Sequence, residues 1–200
     1  MIAVLDYGIG NLRSAQKALE KVGADARLTA DPAEVDRAAG VVLPGVGHFG
    51  RCIDALRVTG LEEPAKAAIE SGKPFLGICV GMQLLYDGSD EAPDHKGMGV
   101  LPGRVRRLPG DVKRPQMQWN QLDYEPTPML DGLSDPVWMY FVHSYAPEPS
   151  DDVVAYCHYG GPVVAAVARD NLWATQFHPE KSGAAGLRLL ASFVASVPGG

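Results

Sequence analysis

The chain has 200 residues, 46% of them hydrophobic and 21% charged, and its 18 Lys and Arg against 24 Asp and Glu leave a formal charge of −6. That length predicts one domain spanning 1–200 with a substantial core. The acidic balance argues against nucleic acid as a partner, since only Arg104, Arg106 and Arg107 cluster, and no apolar run approaches the roughly eighteen residues of a membrane span. The opening MIAVLDYG lacks a basic leader and reads as a strand, so a cytoplasmic protein is expected. Cys52, Cys79 and Cys157 are odd in number and have no C-x-x-C spacing, which predicts free thiols and neither a disulfide framework nor a zinc site.

In chain order, IAVLDY reads as a strand, 11–22 as a helix with Asn11 as N-cap and Gly23 as its stop, and VVLP at 41–44 as a second strand. A helical pattern from about 52 to 71 follows, then the strand PFLGI and a helix over 80–86. This alternation predicts βαβ units and a parallel sheet. From about 96 the runs shorten: VLPGRVRRL, WNQLDY, WMYFVHSYA, VVAYCHY, PVVAAVA and LWATQFH read as antiparallel strands. A helix over 183–196 carries the apolar stripe Leu187, Leu190, Phe193 and Val194, continued by Val197, before a PGG end expected to fray. The expected fold is therefore α/β: a flavodoxin-like open, mostly parallel sheet with helices on both faces plus added antiparallel strands.

Within this pattern GICVG, at 77–81, falls at a strand-to-helix junction and has the form of a nucleophile elbow, a strained turn that throws Cys79 clear of the sheet. Gly77 and Gly81 flank it where a Cβ would crowd a neighbouring element. A following helix would favour the thiolate through its dipole. The same pentapeptide also fits a buried cysteine in a tight turn, so a base must be sought. TQFHPEKS supplies His178 and Glu180 two residues apart. Pro179 biases His178 towards an extended conformation, in which residues i and i+2 share a side, so the carboxylate can hold one imidazole nitrogen and leave the other for Cys79. Acyl transfer also needs oxyanion donors: the N–H of Val80 lies next to the nucleophile, and the glycine-rich PGVGHFG at 44–50 is a candidate for a second. DYGIGN fails as a dinucleotide fingerprint because Arg13 stands where the third glycine belongs, and His48, His95, His143 and His158 lack ligand spacing. No cofactor and no metal are expected. Cys52 and Cys157 read as packing residues.

The order and spacing of PGVG, GICVGMQ and FHPEK resemble the class I, triad-type glutamine amidotransferases over residues 1 to about 196. LDYGIGN, GVGHFG, QWNQL, YFVHSY and QFHPEKS are most similar to one branch of that family, the glutaminase subunits of imidazole glycerol phosphate synthases of histidine biosynthesis. The resemblance implies that Cys79 attacks the side-chain amide of L-glutamine, that His178 shuttles the proton and that Glu180 orients it. It further implies an oxyanion site at Val46, Gly47 and Val80, and substrate contacts at Gly45, Gln83, Glu91, Ser144 and Tyr145. It implies a (β/α)8-barrel cyclase as partner in a heterodimer, with Asn11, Trp119, Asn120, Tyr140, His143 and Lys181 at the interface, and an oxyanion loop that rearranges before it is competent. A 200-residue chain that releases ammonia has no second domain to use it, which independently predicts a partner. Two departures stand out: Gln118 where the family has glycine and Val80 where it has leucine. The rival readings are a glutaminase component of another synthase, such as anthranilate synthase, a flavodoxin-like binding module, and a γ-glutamyl peptide hydrolase.

Overall fold

In the computed structural model of the chain, which describes residues 1–199, the buried tetrapeptide Ile2–Leu5 forms β1 inside an eight-stranded sheet. The expected fraying at Gly200 lies outside these residues. The first half continues as α1 (Leu12–Lys21), β2 (Ala26–Thr29), α2 (Pro32–Arg37), β3 (Gly40–Gly45), α3 (Phe49–Val58), α4 (Glu62–Glu70), β4 (Phe75–Cys79) and α5 (Val80–Gln83). The second half holds β5 (Gly88–Ser89), β6 (Ala92–Lys96), β7 (Arg104–Arg107), β8 (Gln116–Gln121), β9 (Asp123–Tyr124), β10 (Trp138–His143), β11 (Tyr145–Pro147), β12 (Val153–His158), β13 (Pro162–Arg169), β14 (Leu172–Thr175) and α6 (Gly183–Ser196).

The main sheet has the order β2-β1-β3-β4-β14-β13-β12-β9, with β2 to β14 parallel and the last three strands antiparallel. Its parallel part has the flavodoxin-like order, in which reactive groups gather at the carboxyl ends of the strands. Helix α1 packs with α6 and α2 with α4, and the right-handed rule for parallel crossovers puts the two pairs on opposite faces of the sheet. Buried β3 and β4 read as continuous apolar runs because helices cover both sides. The α6 stripe packs inward through Leu190, Phe193 and Val194, with Leu189 also buried and Leu187 only half-buried. Phe193 meets Trp173 edge-on, ring centroids 6.0 Å apart.

Several expectations need correction. The helix expected over 52–71 is two helices, α3 and α4, because Gly60 adopts φ +71° and turns the chain between them. The elements β2 and α2 were not anticipated. The helix expected over 80–86 is the four-residue α5: the Leu84 and Leu85 carbonyls accept from Met98, Val100 and Leu101, so the chain beyond Gln83 is claimed by the 97–101 segment. A helix that short has little dipole to offer Cys79. Asn11 does occupy the N-cap position, but its side chain makes no cap and turns elsewhere.

Candidate active site

The register of the parallel strands brings the distant motifs together. Gly45, the last residue of β3, pairs with Cys79, the last of β4, and β14 beside them runs directly into Gln176, Phe177 and His178. Cys79 itself has φ 55° and ψ −112°, a conformation that a side-chain-bearing residue adopts at a cost of roughly 1–3 kcal/mol and that persists only where its surroundings enforce it. Here the enforcement is steric. A Cβ on Gly81 would run into the Leu43 carbonyl, and one on Gly77 would lie 3.1 Å from the Gly81 oxygen, so the turn is pressed against both adjoining strands.

His178 is held by its backbone as well as its ring. Its N–H donates to the Tyr140 carbonyl at 3.0 Å, and its carbonyl accepts from the Ser182 hydroxyl at 2.6 Å. Nδ1 and the Glu180 Oε1 are 2.8 Å apart, with both side chains at most 2% exposed. Glu180 reaches the ring from a 3₁₀ turn over Pro179–Lys181, not from the extended segment expected. Asn11 Nδ2 donates to the same carboxylate oxygen at 3.4 Å. Burial is the largest influence on His178 and disfavours the imidazolium, but Cys79 and then Glu180 outweigh it, and its pKa is pushed up to about 10. His178 Nε2 and Glu180 Oε2 are buried without a hydrogen-bond partner meeting ordinary geometry. The imidazole therefore sits within electrostatic reach of the sulfur while Nε2 is not aligned on it, a looseness common in sites without substrate.

These groups open into a pocket of about 420 Å³ that Val46, Gly47, Cys79, Val80 and His178 line from the sheet edge. Gln83, Glu91, Ser144 and Tyr145 line it as well, and Asn11, His143 and Lys181 also reach it. Gly45 is absent from the wall: a Cβ there would meet the Gly81 nitrogen at 2.7 Å and the Tyr7 hydroxyl at 2.9 Å, so its role is to let two backbones approach. The Oε2 of Glu91 accepts from the Phe49 N–H at 2.8 Å, which satisfies a free donor in the first turn of α3 and fixes the carboxylate at the pocket. His143 is buried, and burial, reinforced by the charge of His178 and opposed by the Tyr145 carbonyl, pushes its pKa down to about 4, so that ring is neutral. Trp119 is 48% exposed, Tyr140 half-buried against it in an edge-on contact of 6.1 Å, and Asn120 donates to the His158 carbonyl at 2.9 Å. Among the described residues no cluster of His, Cys, Asp and Glu could hold a metal ion.

Two buried groups escaped sequence reasoning. Cys52, read as packing, donates its S–H to the Val46 carbonyl at 3.3 Å; burial pushes its thiol up to about 11, so it stays a donor. Tyr7 donates to the Pro44 carbonyl at 2.7 Å, and both contacts brace the glycine-rich loop from behind. Cys52 lies in an apolar pattern just after that loop, which marks burial but not the hydrogen bond, whereas Tyr7 ends the first strand-like run, 37 positions from Pro44, with no signal of the contact.

A paired thiol and imidazole with an orienting carboxylate can carry acyl transfer through a covalent intermediate, given oxyanion donors beside the sulfur. Comparison with known proteins is consistent with that chemistry. The family model described as Glutamine amidotransferase class-I matches residues 3–197. The chain is 52% identical to the imidazole glycerol phosphate synthase subunit HisH of Syntrophotalea carbinolica over 96% of this chain and 98% of that one. It is also 52% identical to the HisH subunit of Methanothermobacter thermautotrophicus, over 97% and 98%. Among solved structures, one described as a glutamine amidotransferase superposes with a TM-score of 0.76 at 21% identity, covering 97% of this chain and 98% of that one. PurLQS from Thermotoga maritima gives 0.75 at 23%, covering 97% of each chain. Both structural likenesses concern the fold.

Proposed function

The chain belongs to the class-I glutamine amidotransferase family, and on that footing we propose that it is the glutaminase subunit of an imidazole glycerol phosphate synthase. It forms one amidotransferase domain, acts in histidine biosynthesis in the cytoplasm, and cleaves L-glutamine to glutamate and ammonia. The observation that carries the reading is the strained Cys79 facing an imidazole that Glu180 holds by its other nitrogen. Cys79 Sγ attacks the amide carbon; His178 passes its proton to the departing ammonia, then takes one from the water that hydrolyses the thioester. The N–H groups of Val80 and of the Val46–Gly47 loop receive the developing oxyanion. Gln83, Glu91, Ser144 and Tyr145 provide donors and acceptors for the zwitterionic end of glutamine.

Ammonia set free in water would protonate and diffuse away, so the reading includes a partner, a (β/α)8-barrel cyclase in a heterodimer. Strands β8 and β10 form a separate two-stranded ribbon in which Val142 pairs with Met117 and Tyr140 with Trp119. Its outer face leaves Met117 65% exposed and Trp119 and Trp138 each 48% exposed, an apolar surface beside the pocket mouth of the kind that a second protein covers. Glutamine turnover measured with and without the barrel subunit tests the reading. The isolated chain should be far slower, because its oxyanion loop awaits rearrangement, and equal rates would overturn the activation half of the proposal. Trp119→Glu, a charge placed at the centre of that face, is expected to weaken copurification with the barrel by more than tenfold. A complex unaffected by the charge would move the interface elsewhere.

A further inference from the structure

Beyond the triad, one fully buried polar side chain is aimed at the sulfur. Gln176 follows β14 directly, has no exposed surface, and has its backbone N–H fixed to the Ala165 carbonyl at 2.8 Å. Its Nε2 lies 3.7 Å from Cys79 Sγ, within the reach of a sulfur acceptor. Side-chain amides are ambiguous about which end is nitrogen, but here the surroundings decide. The Tyr145 carbonyl can only accept, and Gln83 Nε2 donates to it at 3.0 Å. That places the Gln83 nitrogen against Gln176, whose Oε1 accepts from it at 3.0 Å. With its oxygen so committed, Gln176 can present only N–H to the sulfur. Both N–H groups of Gln83 are then used inside the protein, which leaves its Oε1 for the pocket.

We propose that Gln176 is a positioning residue for the nucleophile: the relay from the Tyr145 carbonyl through Gln83 to Gln176 aims a fixed N–H at Cys79 Sγ, holding the sulfur's rotamer and stabilising it when it carries charge. The inference rests on the glutaminase reading. A neutral donor suits this place. It interacts more strongly with a charged sulfur than with a neutral one, yet is weaker than a cation and leaves the sulfur nucleophilic. The other groups facing the sulfur do not duplicate it. The Val142 carbonyl, 4.0 Å away, is an acceptor, and Tyr7 and Cys52, within electrostatic reach, are neutral acids whose ionised forms would oppose a charged sulfur. Two cations reach this pocket, His178, which interacts with the sulfur directly, and Lys181, while Glu91 is the charged acid on its wall; Glu180 and the neutral His143 both interact with His178. The relay also links substrate and nucleophile. A glutamine head group that engages Gln83 pulls on the same amide chain that orients Cys79.

The test is site-resolved alkylation of Cys79 by iodoacetamide across pH, read by mass spectrometry in the purified complex, together with steady-state glutaminase kinetics. Gln176→Glu keeps the shape and the contact with Gln83 but turns a carboxylate to the sulfur near neutrality. Gln176→Met keeps the length and removes the donor. Both should alkylate about tenfold more slowly at neutral pH, with profiles moved to higher pH, and should lower kcat by at least as much while KM changes little. On acidification the deficit of Gln176→Glu relative to the native protein should narrow, as its protonated carboxyl regains a donor, and that of Gln176→Met should not. Alkylation profiles identical to the native protein in either folded variant would overturn the proposal. If the glutaminase reading itself were wrong, the native complex would release no ammonia from glutamine at all, a result separate from any difference between variants.

Discussion

Replacing Cys79 by alanine is expected to abolish glutamine-dependent product formation by the assembled enzyme while leaving ammonia-dependent synthesis intact. The sulfur is the nucleophile of the proposed reaction, and its removal takes away the covalent route. Losses on the order of 10⁴- to 10⁶-fold in kcat accompany deletion of a nucleophile whose other machinery remains. Alanine retains the backbone and fits the space, so folding and subunit docking should survive. Ammonia added to the solution bypasses this chain altogether. A second readout is the titration of the His178 ring by NMR. Cys79 is the first of the two partners that hold its pKa at about 10 against burial, so in the variant the midpoint should fall towards or below the ordinary histidine value. Loss of ammonia-dependent synthesis as well would assign Cys79 a structural role, and an unchanged midpoint would mean that the sulfur and imidazole do not communicate.

Gly81→Ala is expected to be the most damaging single methyl group in the molecule. The added carbon would overlap the Leu43 carbonyl oxygen and lie 2.9 Å from its carbon, and both are backbone atoms inside the main sheet. Neither can swing aside as a side chain would. Relief requires β3 and β4 to part, and the Gly45–Cys79 pairing that sets the sulfur beside the oxyanion loop would part with them. A loss of roughly 3 kcal/mol or more is expected in urea unfolding, with glutaminase activity falling further than the folded fraction alone explains. Val58→Ala, at a site 87% exposed, serves as the control and should change stability by less than about 0.5 kcal/mol. Full activity in Gly81→Ala would mean that the elbow tolerates a wider turn than its packing suggests.

The parallel half of the fold was legible because β1, β3 and β4 are buried on both faces and so announce themselves as unbroken apolar runs. Strand β2 was not, since it is an edge strand with Arg27 exposed, and α2 is six residues long with Val35 its only buried side chain. Periodicity carried straight across Thr59–Gly60 because the apolar spacing of α3 and α4 stays in phase through the turn; the left-handed glycine broke what the pattern did not. In the antiparallel half the strands were visible but their partners were not. Nothing in WMYFVHSYA indicates that β10 leaves the main sheet for β8 while β14 crosses back to pair with β4. At the site, the three motifs were readable because each is a compact spacing of reactive types. The supports were not: Gln176 and Tyr7 owe their contacts to the register of strands and loops far apart in sequence, and the contact of Cys52 with Val46, six positions back, depends on how the glycine-rich loop folds over the start of α3.

The β8–β10 ribbon is one backbone layer thick. Tyr140 lends its carbonyl to the His178 N–H on one side and its ring to the exposed Trp119 on the other. A docked protein would therefore rest a single peptide's breadth from the imidazole, so that news of its arrival could be delivered by a tilt of this one hairpin, with no relay across the interior.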